Sequence, residues 1–181
     1  APKAFRRGIL RTLKDEQEHT RMYVHRLADM GIEFGQFPVN GYFWKMIAPM
    51  STPMDYVSRL SLTFEQANLD FSAYFAQRFG LIGDRASQAL MEKIYRDELT
   101  HVGYGLKWFR RWKDPKLTDW QAYEKQLEFL EARERSRNRR GGGRRNTTTA
   151  AALMGPTPAP GYDILNVRVM RPPGTSYAMD N

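Results

Sequence analysis

The sequence predicts an all-α protein, a bundle of long helices followed by a basic tail. Two observations predict this fold class. Three long stretches of good helix formers lie between capping residues on one side and glycine or proline on the other. No segment shows the alternating apolar and polar pattern of a β-strand. At 181 residues, the chain has room for one domain and a tail.

The first two helices are predicted from the residues at their ends. The first covers about residues 5–30, and Gly31 follows it as a C-cap. The second covers about residues 53–79, with Thr52 as its N-cap and Gly80 after its last turn. The aromatic side chains of the second helix are expected in the core rather than in a substrate channel; they are Phe64, Phe71, Tyr74 and Phe75.

The remaining elements are predicted in the same way. A third helix covers about residues 84–112, with Asp84 as its N-cap and Pro115 beyond its end. A further helical segment is expected over about residues 119–135. Residues 31–51 are rich in glycine, proline and aromatic residues, which indicates a packed connection holding a short helix.

The composition changes near residue 131, where arginine, glycine and proline become frequent. Residues 131–181 carry +5 of the net charge of +8. Such a low-complexity segment buries little apolar surface, so we divide the chain into a helical domain over residues 1–130 and a tail over residues 131–181 that we expect to be disordered. A solvated tail is the plain interpretation of its arginines, and binding to RNA or DNA is the alternative.

Composition and motifs exclude several classes of protein. The absence of cysteine excludes a disulfide framework, a zinc–thiolate site and a cysteine nucleophile. No apolar run approaches the roughly 20 residues of a membrane span, and no secretory signal is present, so we expect a cytoplasmic protein without a membrane partner. The zincin pattern, a phosphate-binding glycine loop and a nucleophile elbow are all absent.

The string Asp-Glu-x-x-His occurs twice, over residues 15–19 and 97–101. Average residue usage gives such a string on the order of once per hundred chains of this length. The two strings place Glu16 with His19 on the first helix, and Glu98 with His101 on the third. A Glu and a His three residues apart project from the same face of a helix and can both bind a metal ion. Two such pairs on facing helices, with a further Glu from each of two other helices, form the di-iron or di-manganese site of ferritin-like bundles.

Helical periodicity places these acids toward the core. On a wheel of about 100° per residue, Glu98 lies in the middle of the apolar stripe of its helix. Glu16 lies roughly 40° from the centre of an apolar stripe that includes Leu13, and His19 lies nearer the edge of that stripe. Glu65 is the only glutamate of the second helix, and it lies away from the polar side that we assign to Arg59 and Gln66. A buried carboxylate needs a metal, a proton or a partner, and Glu65 is therefore a candidate bridging ligand.

The leading aspartates of the two strings are candidate partners of the histidines. A metal-bound imidazole usually donates its second N–H to a carboxylate, which fixes the orientation of the ring. We expect Asp15 to contact His101 and Asp97 to contact His19, across the site. A single Glu-x-x-His pair is more often an ordinary surface contact, and Glu65 alone could be a satisfied core acid. The two repeats and Glu65 together favour a metal site with an iron or manganese ligand set.

Further residues accompany these motifs, namely Phe5-Arg6-Arg7-Gly8, Phe64-Glu65 through Leu69-Asp70, and Arg96 through Phe109. With these residues, the sequence resembles a bacterial ferritin-like family known as domain of unknown function 455. Its superfamily also holds the di-iron tRNA hydroxylases. The resemblance covers about residues 1–130. It implies a four-helix ferritin-like bundle with a di-metal centre, but it supplies no substrate.

Members of this family have an earlier helix that carries the first metal-ligating Glu. By this resemblance, the chain lacks that helix and has five of six protein ligands, so we expect a fragment with weak or incomplete metal binding. The resemblance ends near residue 131, where a shifted reading frame or a mis-joined gene would explain the divergent tail.

Three functional hypotheses follow. The first is a di-iron carboxylate oxidoreductase that uses dioxygen on an unknown substrate, with manganese as the alternative metal and no assigned catalytic residue, organic cofactor or oligomeric state. The second is a metal-free helical module that binds RNA through the basic tail. The third is a structural helical domain whose acids and histidines form a polar network without metal.

Overall fold

A computed structural model of the chain describes residues 1–140, and it confirms the all-α fold class, because this part of the chain is helical and contains no strand. The helices pack together as a bundle. In chain order they are α1 (Lys3–Asp29), α2 (Tyr42–Ile47), α3 (Pro53–Asp55), a π-helix (Tyr56–Glu65), α4 (Gln66–Leu81), α5 (Arg85–Trp112) and α6 (Asp119–Arg140). Within residues 1–140, none of these helices combines the length and the apolar character that a membrane span requires.

The starts of these helices follow the predicted N-caps, whereas the second predicted helix runs past Gly80 to Leu81. Thr52 accepts a hydrogen bond from the backbone N–H of Asp55 at 3.1 Å. Asp84 accepts one from the N–H of Ser87 at 3.0 Å, which caps the start of α5. Arg26 of α1 donates to both carboxylate oxygens of Asp84, at 2.8 and 2.9 Å. The cap of α5 is therefore also the point at which the end of α1 is fixed.

The second predicted helix is not a uniform α-helix. Ten of its residues, Tyr56–Glu65, form a π-helix, in which hydrogen bonds run from residue i to i+5. The wider turn changes which side chains face inward, so the wheel of an α-helix assigns the wrong faces here. Arg59 and Gln66 were predicted on the polar side, but they are only 4% and 1% exposed.

The apolar core lies around α5, which packs against α1, the π-helix and α4. The predicted stripe of α5 is confirmed, since Ile94, Glu98, Val102 and Phe109 are all buried. The main cluster of buried apolar residues comprises Phe5, Val57, Leu62, Leu69, Val102, Trp108, Phe109, Ala122 and Tyr123. Glu98 thus lies on the helix face that the core surrounds.

The buried face of α1 differs from the predicted one. Its buried residues are Phe5, Thr12 and His19, which are spaced by seven residues and share one face. Leu13 was placed in the apolar stripe but is 52% exposed, and His19, placed near the edge, is only 4% exposed. The physical reason is that this face of α1 packs against α5, whereas the side chain of Leu13 borders an open cavity.

Helix α6 crosses the predicted domain boundary at residue 130 and continues to Arg140. The predicted helical segment already included residues 131–135, and residues 136–140 are helical although disorder was expected for them. Arg133 explains part of this, because it donates a 2.7 Å hydrogen bond to the buried Asp55. Asp55 also accepts from the backbone N–H groups of Ser51 and Thr52 and from Gln126. The rest of the predicted tail, residues 141–181, lies outside the described residues.

A close approach of α5 to the π-helix gives the first prediction. A Cβ atom at Gly105 would lie 2.2 Å from the Cβ of Ser61, so Gly105→Ala must push these helices apart. We expect it to lower the free energy of unfolding by about 1–3 kcal/mol. The matched control is Gly103→Ala on the exposed side of α5, where an added Cβ meets nothing within 4 Å. The control should raise that free energy by about 0.5–1 kcal/mol, because alanine favours a helix. Urea denaturation of both variants checks this, and equal effects would contradict it.

The Asp55 cluster gives the second prediction. Asp55→Ala removes the carboxylate to which Arg133 and Gln126 donate, although Arg133 keeps its hydrogen bonds to Pro49 and Ser51. We expect it to lower the free energy of unfolding by about 3 kcal/mol. Glu131→Ala is the control on α6, since it removes only an exposed pair with Arg135 and should change this free energy by less than about 0.5 kcal/mol.

The same cluster predicts a dependence on pH. Burial alone would raise the pKa of Asp55, but the hydrogen bonds from Arg133, Ser51 and Thr52 outweigh it and lower the pKa. Asp55 therefore stabilises the fold above its unfolded pKa, and this contribution is lost as the pH falls through the folded pKa. Acid unfolding followed by circular dichroism should be less steep in Asp55→Ala than in the unmodified chain. An identical acid limb would be evidence against the contribution.

Candidate metal centre

Four of the predicted ligands come together between three helices. Glu16 lies on α1, Glu65 is the last residue of the π-helix, and Glu98 and His101 lie on α5. One ligand atom from each of the four lies within 4.8 Å of the others. Glu65, Glu98 and His101 are buried, and Glu16 is partly exposed. The π-helix thus ends at the residue that it delivers to the cluster.

His101 directs its two ring nitrogens to different groups. Its Nδ1 lies 3.3 Å from a carboxylate oxygen of Glu98 and 3.4 Å from one of Glu16. Its Nε2 lies 3.2 Å from Asp15, on the opposite side of the ring. Nδ1 therefore faces the cluster, while Nε2 is held by an aspartate outside it.

His19 repeats this arrangement beside the four-residue group. Its Nδ1 lies 3.4 Å from Glu16, and its Nε2 lies 2.9 Å from Asp97. The two aspartates thus contact the histidines in the crossed order expected from the sequence, Asp97 with His19 and Asp15 with His101. The two imidazole rings are 6.2 Å apart between centroids. The metal-ligand role of these residues stays a prediction.

Several atoms of the cluster are buried without a hydrogen-bond partner. These atoms are Oε2 of Glu65, Oε2 of Glu98 and Nδ1 of His101. Two of them, Oε2 of Glu98 and Nδ1 of His101, lie 3.3 Å apart as an ion pair without hydrogen-bond geometry. An unsatisfied buried polar atom costs about 1–3 kcal/mol, so the cluster is only partly satisfied by its own residues. Asn68 donates to the other oxygen of Glu98 at 2.8 Å and leaves Oε2 available. The donor set, three carboxylates and an imidazole, fits a metal cation.

The charges of the cluster balance around a positive centre. Burial alone would lower the pKa of His101, but the nearby carboxylates of Glu16, Glu98 and Asp15 outweigh it and raise the pKa to about 11. Burial also works to raise the pKa of Glu16, yet the adjacent imidazoles lower it to about 2. For Glu65, burial and then the charge of Glu98 raise the pKa to about 7. A protonated His101 supplies positive charge that a bound metal ion could supply instead.

Two contributors to the site were not assigned by sequence reasoning. The sequence analysis gave Asn68 no role, although an amide three residues after Glu65, on the same side of a helix, was the available signal. Lys93 hydrogen-bonds to Asp97 from one turn earlier on α5 and neutralises part of its charge. A Lys four residues before an Asp on a helix is a recognisable pattern, and it would have indicated this pair.

The RNA-binding alternative gains no observation from the described residues. Arg133 is engaged with Asp55, and Arg135 lies 3.5 Å from Glu131. The glycine and arginine residues near 141–145 and the proline-rich end lie outside residues 1–140. RNA binding through the tail therefore stays a prediction.

Comparison with known proteins identifies the family. A Haemophilus influenzae protein described as uncharacterized is 27% identical over 109 residues, which are 59% of this chain and 37% of that protein. The chain therefore matches well under half of the length of this relative. No solved structure matches the chain significantly. The family described as "Protein of unknown function (DUF455)" matches residues 1–148, which extends past the predicted limit at residue 130. The chain belongs to this family.

Proposed function

We propose that this protein is a non-haem di-metal carboxylate protein of the ferritin-like superfamily. In this proposal it binds two iron ions, with manganese as the alternative, and acts as an oxidoreductase on an organic substrate in the cytoplasm. The observation that supports it most directly is the convergence of Glu16, Glu65, Glu98 and His101, one ligand atom of each lying within 4.8 Å of the others, with three buried ligand atoms that make no hydrogen bond.

We assign the ligand roles in this proposal from the positions of the side chains. Glu65 would bridge the two ions, since it comes from a third helix, apart from the two Glu-x-x-His pairs. Glu16 with His19 would bind one ion, and Glu98 with His101 would bind the other. Bound ferrous iron would supply the electrons that reduce dioxygen.

The surrounding residues would orient and protect these ligands. Asp15 and Asp97 hold Nε2 of the two histidines, so that Nδ1 of each ring stays directed at the carboxylates. Asn68 holds one oxygen of Glu98 and thereby sets the direction of the other. The burial of Glu65, Glu98 and His101 limits the access of water, while the partly exposed Glu16 gives small molecules a route to the site.

Metal titration tests the centre. We expect anaerobic addition of Fe(II) to a full-length version of the protein to saturate near roughly two ions per chain and to raise the melting temperature by mass action. The 181-residue chain, with five predicted ligands, should bind Fe(II) more weakly. Glu98→Ala combined with His101→Ala removes two ligands and should abolish most of this binding. The matched control is Glu18→Ala with His25→Ala, a Glu and a His that are exposed on α1 and outside the cluster. The measurement is metal content by mass spectrometry, with circular dichroism to verify folding.

The outcomes separate the hypotheses. Unchanged stoichiometry in the Glu98/His101 variant would contradict the proposed ligands. A folded full-length version that binds neither Fe(II) nor Mn(II) would favour a polar network without metal. Salt-sensitive RNA binding that disappears on deletion of residues 131–181 would instead favour the RNA-binding module.

The aspartate contacts give a separate prediction. Asp97→Asn keeps the size of the side chain but removes the charge that faces Nε2 of His19. Loss of such an orienting carboxylate typically lowers metal affinity about 10–100-fold. Asp29→Asn is the control, because Asp29 is exposed at the end of α1 and lies 3.8 Å from Arg26. Competition with a metal-binding dye measures both affinities, and equal values would argue against a positioning role for Asp97.

A further inference from the structure

An open cavity of about 960 Å³ lies between α1, α2 and the helical run formed by the π-helix and α4. Its volume is within the range of small-molecule sites. Its rim includes Leu13 and Trp44, which are mostly exposed. The walls are largely aliphatic and aromatic; they include Ile9, Leu13, Phe43, Trp44, Leu60 and Phe71.

The cavity ends at the candidate metal centre. Glu16, Glu65 and Glu98 all line it, with Asn68 and Tyr56 beside them. No lysine, arginine or histidine is among the lining residues. The cavity is thus apolar along its walls and carboxylate-lined where it meets the cluster.

The aromatic residues of the second predicted helix explain how the cavity arises. Phe64 and Phe71 were expected in the core, but they line the cavity instead. Phe64 and Phe71 are not enclosed in the core because α2 covers this side of the bundle only in part. Phe43 of α2 packs edge-on against Phe64, with 5.1 Å between ring centroids. The two helices therefore meet at one edge of the cavity and leave the remainder open.

We propose that this cavity binds an uncharged, largely apolar organic molecule, with one end beside Glu16, Glu65 and Glu98. In the metal-free protein, an anionic group would meet three carboxylates and no basic side chain, so phosphates and carboxylates are disfavoured there. A cationic group would compete for the acids with the metal ions of the proposed centre. A neutral, apolar molecule is stabilised by burial against the apolar walls, and it neither repels the carboxylates nor competes with the metal ions. The inference that this molecule is the substrate rests on the proposed function, whereas the inference that it binds in the cavity does not.

Calorimetry with three probes that carry straight ten-carbon chains tests the charge preference. The probes are 1-decanol, decanoate and decyltrimethylammonium, titrated below their solubility limits and micelle formation into the full chain, both metal-free and loaded with Mn(II). We expect 1-decanol to bind saturably in both forms, and in the metal-free form to bind tighter than decanoate by roughly tenfold or more. In the Mn(II) form, 1-decanol should bind tighter than decyltrimethylammonium. Absence of saturable 1-decanol binding, a preference for decanoate in the metal-free form, or a preference for decyltrimethylammonium in the Mn(II) form would overturn the proposal.

Two variants locate the binding. Ala67 lines the cavity, so Ala67→Phe should weaken 1-decanol binding by roughly tenfold, whereas Ala89→Phe on the exposed side of α5 should leave it unchanged. Leu13→Arg adds a cation at an exposed rim position that the fold should tolerate, and it should shift the preference toward decanoate. Equal effects of the two phenylalanine variants would place the binding elsewhere and refute the proposal.

The test also separates this proposal from the metal centre and from other occupants. Binding of 1-decanol without any metal binding would support ligand binding in the cavity and contradict the proposed metal centre. Metal binding without 1-decanol binding would support the metal centre and contradict ligand binding in the cavity. If a second copy of the chain covers the cavity, gel filtration should show a dimer that Ala67→Phe disrupts, and 1-decanol should not bind. That result would overturn the proposal.

Discussion

The interior of this bundle is organised around acids and imidazoles that need a positive charge among them. Three helices bring Glu16, Glu65, Glu98 and His101 within 4.8 Å of one another, and most of these side chains are out of contact with water. A desolvated carboxylate group is unfavourable unless a proton, a cation or donors neutralise it. The aspartates behind the histidines, and Asn68 behind Glu98, are arranged so that the free ligand atoms remain directed inward. The packing of α1, α5 and the π-helix therefore has to stabilise the fold and also hold the four side chains of the cluster close together.

Long helices and their caps were predictable because they depend on local chemistry. Asp84 and Thr52 cap the helices that they were expected to cap, since an N-cap needs only the neighbouring backbone. The crossed contacts of Asp15 and Asp97 were predictable for a different reason. The same Asp-Glu-x-x-His pattern on two facing helices leaves few ways in which the two aspartates can contact the two histidines. The chemistry of metal sites, where a carboxylate contacts the second nitrogen of a bound imidazole, favours the crossed arrangement. What the cluster binds could not be read from residue spacing, and it remains the subject of the proposal.

Other features depended on tertiary contacts that no local pattern carries. The wheel for α1 treated Leu13 as a core residue, but only the packing partner decides which side of an amphipathic helix is covered, and α5 covers the side of His19. The burial of Arg59 follows from the π-helix, whose turn the assumed periodicity did not contain. Helix α6 extends beyond the change in composition because Arg133 finds a buried acceptor nearly eighty positions earlier in the chain. Each of these misses is a long-range effect.

The π-helix has a consequence for how this segment can change in evolution. A π-turn holds one more residue per hydrogen-bonded ring than an α-turn, so a single-residue deletion within Tyr56–Glu65 would favour reversion to the α-helical pattern. Such a reversion would absorb the lost residue and largely keep the relative orientation of α3 and α4. If the π-turns persisted, the deletion would instead rotate everything on one side of it by roughly a quarter turn relative to the other side. Either Glu65 would then leave the cluster or α3 and its capping box would turn away from α6. The number of residues in this segment therefore sets the position of Glu65 in a way that their identity does not.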